Sequence, residues 1–100
     1  MKSNSTVRPS LTARLQNSVI ISFNITEVEG GYEYDQVKVS EEPTRDEVVN
    51  ALIRDKYSLS QEFALINNFN SGKDLEEYEA FQVYRATCKV IADEVIQNLH

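Results

Sequence analysis

From Val19 the chain alternates, with Val19, Ile21, Phe23 and Ile25 apolar and Ser22, Asn24 and Thr26 polar between them. A period of two in β-branched residues predicts a half-buried strand. A second run from Tyr32 to Val39 follows Glu29-Gly30-Gly31, so the two runs predict an antiparallel hairpin. A two-residue Gly30-Gly31 turn would set Phe23 opposite Lys38 and waste the apolar face. A three-residue Glu29-Gly30-Gly31 loop sets Val28 opposite Tyr32, Phe23 opposite Val37 and Ile21 opposite Val39, with a glycine free to take the left-handed conformation. The three-residue loop is therefore expected. It leaves a second face of Ile20, Thr26, Val28, Tyr32 and Tyr34, either covered by the residues before the hairpin or open to a partner.

After Pro43 the period changes to that of a helix. Thr44-Arg45-Asp46-Glu47 has the T-x-x-E form of a capping box, and Val48, Val49, Leu52 and Ile53 follow at helical spacing. Ser58-x-x-Gln61 offers a second box for a short helix to about Phe69, expected to bury Leu59, Phe63, Leu65 or Ile66, and Phe69. Asn67 to Gly72 supplies its stop, with Gly72 as a left-handed terminator. Asp74-Leu75-Glu76-Glu77 opens a third and longest helix to about Asn98, its first-turn carboxylates favoured by the helix dipole. Tyr78, Phe81, Tyr84, Cys88, Ile91, Ala92, Val95, Ile96 and Leu99 fall on one broad face of it. The expected fold is α+β: one antiparallel β-hairpin packed on three α-helices, because a two-stranded hairpin alone is marginal in water.

Residues 1–17 show no such periodicity, being rich in Ser, Thr, Asn and basic side chains. They are expected to be a flexible basic leader to a single domain spanning 18–100. The charge is as uneven as the pattern. The net value of −6 divides into +3 from Lys2, Arg8 and Arg14 and −9 for the remainder. An acidic body with no basic stripe interleaved with aromatics argues against direct nucleic-acid binding by the folded part. The longest apolar stretch, around Val19–Ile25, is far short of the ~20 residues of a membrane-spanning helix. The single cysteine, Cys88, permits no internal disulfide and fits a reducing compartment, so a cytoplasmic location is expected.

Candidate chemistry is sparse. Cys88 lies mid-helix on the apolar face, about three turns from the only histidine, His100, and is expected to be a buried structural thiol. Glu76, Glu77 and Glu79 read as a solvated first turn, since no His or glycine-turn carboxylate loop accompanies them. Phosphate-binding glycine loops, nucleophile elbows, H-E-x-x-H and C-x-x-C are all missing. No enzymatic activity, metal or cofactor is expected. Arg85 falls on the shoulder of the apolar face, where a charge wants a partner. Glu62, Asp55 or a carboxyl terminus would serve, with the stem lying over the core. The other reading makes Arg85 a binding hot spot with Tyr78 and Tyr84, residue types that dominate such sites. Val83, Ala86 and Val90 form a minor stripe that would seat a second chain.

One resemblance is carried by Pro43-Thr44, Ala51–Ser58, Glu62–Asn68, Glu77–Ala86 and Lys89–Ala92. This stretch, about the last sixty residues, resembles small uncharacterised proteins encoded in prophages of gut bacteria. The matching positions are mostly core and cap residues, so the resemblance implies fold and genetic origin and no catalytic residue. It implies a location in the cytoplasm or in a phage particle. The expected function is a non-catalytic interaction or assembly module binding a protein partner or itself through Tyr32, Tyr34, Tyr78, Tyr84 and Arg85. The rival is a small acidic regulator or inhibitor that occupies a basic surface of a host or nucleic-acid-binding protein.

Overall fold

The computed structural model describes residues 2–100. Its elements are β1 (Lys2–Ser5), β2 (Thr12–Arg14), β3 (Ser18–Val28), β4 (Gly31–Ser40), α1 (Arg45–Lys56), α2 (Leu59–Asn70) and α3 (Leu75–Leu99). The fold is α+β with the last helix longest. The sheet has four antiparallel strands in the order β1-β4-β3-β2, so the hairpin carries an extra strand on each edge.

The hairpin closes differently from the expected loop. Val28 pairs with Gly31, leaving a two-residue turn of Glu29 and Gly30, with Gly30 at φ 84°. Continued unbroken, that register would put Phe23 opposite Gln36 and lose the apolar face. It is not continued: between Phe23 and Thr26 two residues of β3 face one of β4, and Asn24 takes a left-handed φ of 52°. This bulge absorbs one residue and restores the phase. Ile21 then pairs with Val37 and Val19 with Val39. The expected residues share the buried face, with partners shifted by two. The same bulge corrects the expected second face, because Thr26 and Val28 now pair with Glu33 and Gly31, which alternate with Tyr32 and Tyr34.

Residues 1–17, expected to be a flexible leader, supply both edge strands over their described part. Lys2 to Ser5 pair with Asp35 to Tyr32 of β4, and Thr12 to Arg14 pair with Ile21 to Val19 of β3. Side chains reinforce these ladders. Lys2 reaches Asp35 at 3.4 Å, the Thr12 hydroxyl donates to Asn98 Oδ1, and Arg14 donates to the Leu99 carbonyl at 3.0 Å. Polar strands of three and four residues suit sheet edges, where a long apolar strand would invite aggregation.

The core lies between one sheet face and the helices. Val19, Ile21, Phe23 and Val39 meet Val48, Val49, Leu52 and Ile53 of α1 and Phe81, Cys88, Ala92 and Val95 of α3. Caps fix the helix starts. Thr44 accepts from the Glu47 amide at 3.1 Å, but the Glu47 carboxylate does not turn back to complete the expected box. It accepts from the Ser40 amide at 2.8 Å and the Ser40 hydroxyl at 2.7 Å, tying α1 to the end of β4. Ser58 and Gln61 form both halves of theirs. Gly72 takes the left-handed conformation after α2, at φ 76°.

Candidate functional site

α2 departs most from the expected packing. Its face toward α3 carries Gln61, Ala64, Leu65 and Asn68, which with Tyr57, Glu77 and Ala80 line a crevice of about 370 Å³ between the two helices. At 100° per residue, Leu59, Phe63 and Ile66 lie diametrically opposite that face. They are exposed, Phe63 by 61%, and α2 contains no buried residue at all. The expectation that Leu59, Phe63 and Phe69 enter the core is therefore corrected, and of the two alternatives Leu65 and Ile66 it is Leu65 that turns inward. The core is filled by α1, α3 and the sheet, and of the apolar residues of α2 Leu65 packs against it.

α2 is held instead by its ends. The Arg54 guanidinium meets the Glu62 carboxylate at 2.6 Å, the Asn68 amide donates to Asp74 at 2.6 Å, and Phe69 stacks on Tyr78 with ring centroids 4.0 Å apart. These contacts orient the stripe without covering it. It is also electrically quiet: Glu62 is the one ionisable residue of α2 and is already paired. Exposed apolar residues scattered singly are ordinary, but three at i, i+4 and i+7 on one helix form a seam that fits another helix. The Val83/Ala86/Val90 stripe on α3 is exposed as well, yet the carboxylates of Glu79 and Glu94 share its side of the helix.

The residues singled out from sequence do not form one site. Tyr34 is buried, with 8% exposure, yet lies outside the core cluster. Alternation along β4 places it on the sheet face opposite the helices. Tyr32 is half-buried beside Ser5. Tyr78 is stacked on Phe69. Tyr84 packs against the core, edge-on to Tyr57, and its hydroxyl donates to the Leu52 carbonyl at 2.9 Å. Burial, with smaller contributions from Cys88, pushes its phenol well above the ordinary range. Burial likewise pushes the Cys88 thiol up, against a hydrogen bond with Tyr84 and the nearby Lys56 ammonium. That thiol is 1% exposed and stays protonated near neutral pH.

Arg85 is the exception, because its position leaves hydrogen-bonding capacity unused. Its expected partner Glu62 is engaged by Arg54. Its guanidinium lies 5.8 Å from the Phe81 ring centroid, with one terminal nitrogen 3.5 Å from Gln82 Oε1 and a buried Nε that has no hydrogen-bond partner among the described residues.

Among the described residues, no group of three or more His, Cys, Asp or Glu is placed to hold a metal ion, and no helix is long and apolar enough to cross a membrane. Sequence reasoning missed the α2 stripe, although a signal was present: α2 carries apolar residues on both of its sides, more than one buried face can use. No family model, curated protein or solved structure matches the chain.

Proposed function

We propose that the protein is a non-catalytic self-association module in which the outward stripe of α2 docks on the same stripe of a second copy. The observation that supports it is the exposure of Leu59, Phe63 and Ile66 on a helix whose only charge is already paired. Two bodies of net charge −6 repel each other over most of their surfaces. Two α2 stripes meet with no like charge between them. With the two-fold axis perpendicular to α2 the helices run antiparallel, each positive N-terminal dipole end beside the partner's negative C-terminal end.

Size sets the strength. A twelve-residue helix is about 18 Å long and about 10 Å wide. That face falls short of the ~800 Å² per partner of a standard interface, so the dimer is weak and reversible. Such behaviour suits a component that assembles at high local concentration. The prophage resemblance of residues 43–100 is compatible with that role, in the cytoplasm or in a phage particle.

Light scattering across a concentration series tests this reading. The mass should rise from 11.4 kDa toward twice that value. Leu59→Ser with Phe63→Ser should hold it at the monomer, with the thermal midpoint unchanged because both side chains are exposed. A monomer at every concentration overturns self-association, and a dimer that survives the double substitution overturns the assignment to α2.

A further inference from the structure

We propose that the groove between α1, α2 and α3 centred on Arg85 is a binding site for a phosphate group, as inorganic phosphate or a phosphate monoester. The groove, of about 340 Å³, draws Arg45 and Arg54 from α1 and Arg85 and Lys89 from α3. Two carboxylates, Asp46 and Glu62, share the lining and a third, Asp93, pairs with Arg45 from beside it, which leaves the groove a net charge of one positive. This is the reverse of the whole chain, whose net charge is −6, and four of its ten cationic side chains gather here. The local sign suits a phosphate anion.

Two of the four cations have their charge answered within the protein. Arg54 holds Glu62, and Arg45 holds Asp93. Arg85 does not: its Nε is buried without a partner among the described residues, and its contact with the neutral Gln82 is long at 3.5 Å. An unpaired buried N–H on a charged group is costly, and a turn of the guanidinium that brings its Nε edge out to the groove lets an oxyanion accept from it and removes that cost. A guanidinium offers Nε and a terminal nitrogen as a two-pronged donor matched to adjacent phosphate oxygens. Lys89, one helical turn beyond Arg85, adds a point charge on the same side of α3. This site involves neither Leu59, Phe63 nor Ile66, so it stands or falls apart from self-association.

The test follows the arginine Nε–Hε resonances of the ¹⁵N-labelled chain during titration with inorganic phosphate, with phosphoserine and with acetate at matched ionic strength. Arg85 should show a saturable shift with phosphate and phosphoserine and at least tenfold weaker binding of acetate. Tighter binding of phosphoserine than of phosphate would identify a phosphorylated ester as the source, and the converse the free ion. Arg85→Lys, which keeps the charge and removes Nε, should weaken phosphate at least tenfold, read from backbone amides of α3. The exposed Lys89→Gln variant should weaken it severalfold and covers the case in which the Arg85 variant fails to fold. Shifts that grow linearly and equally at every arginine, acetate binding as tight as phosphate, or full affinity in both variants would overturn the proposal.

Discussion

The Tyr84 hydroxyl on α3 donates a 2.9 Å hydrogen bond to the Leu52 carbonyl on α1. A carbonyl inside a helix already accepts from the amide four residues on, so this bond uses its second lone pair and pins two helices across the core. Tyr84, singled out from sequence for binding, also braces α3 against α1. Tyr84→Phe should therefore lower stability by about 1 kcal/mol, the usual worth of one such bond. Chemical denaturation would show it as a lower midpoint at constant slope, with the concentration dependence of the mass unaltered.

Tyr34 is subject to the same logic with a larger effect. Its ring is buried on the sheet face opposite the helices, so Tyr34→Ala should cost about 3 kcal/mol through the cavity it leaves. Tyr32→Ala, at a half-buried position near the turn, should cost far less. Thermal unfolding of the two single variants separates them, and equal small losses would mean that the face is open.

Gly31 ties the hairpin turn to the first strand. A Cβ there would overlap the Ser5 carbonyl, so Gly31→Ala must push β1 off the edge of β4. Amide exchange should then accelerate in residues 2–5 and stay slow in α3. Gly30→Ala meets open space but retains the left-handed φ of 84°, which predicts a backbone penalty of about 1 kcal/mol without loss of β1.

Acid stability depends on the link between β4 and α1. The Ser40 amide, then the Ser40 hydroxyl, hold the Glu47 carboxyl below its ordinary value near 4.5. A carboxyl lowered on folding contributes stability that is present above its unfolded value and is lost as pH falls through the folded one. Glu47→Gln should thus lower the melting temperature at pH 7, by about 1 kcal/mol in stability at this solvent-accessible site, and flatten the decline below about pH 4.5. Some decline should persist. The hydrogen bond and charge of Arg45 lower Asp93, and at Asp35 the upward push of burial is outweighed by the Asn24 hydrogen bond and the Lys2 ammonium.

Much of this architecture could be read from residue periodicity, and the exceptions share a cause. α1, α2 and α3 were visible because apolar spacing and cap residues are local signals. The hairpin was visible in its faces but not in its register, because a two-residue turn and a bulge at Asn24 compensate each other and leave the same side chains buried. β1 and β2 left no trace, since Lys-Ser-Asn-Ser and Thr-Ala-Arg have no alternation. Their order comes from main-chain bonding to edges that exist only once β3 and β4 have paired. The α2 stripe was visible as apolar content and misassigned to the core, because spacing shows that a helix has an apolar face but not whether the core has room for it.

Intermolecular NOEs in an equimolar mixture of isotopically labelled and unlabelled chains at millimolar concentration test the central claim most directly. Self-association through α2 predicts contacts between copies joining the Phe63 ring to the methyl groups of Leu59 and Ile66. Contacts confined to the sheet or to α3, or none between copies at that concentration, would contradict it.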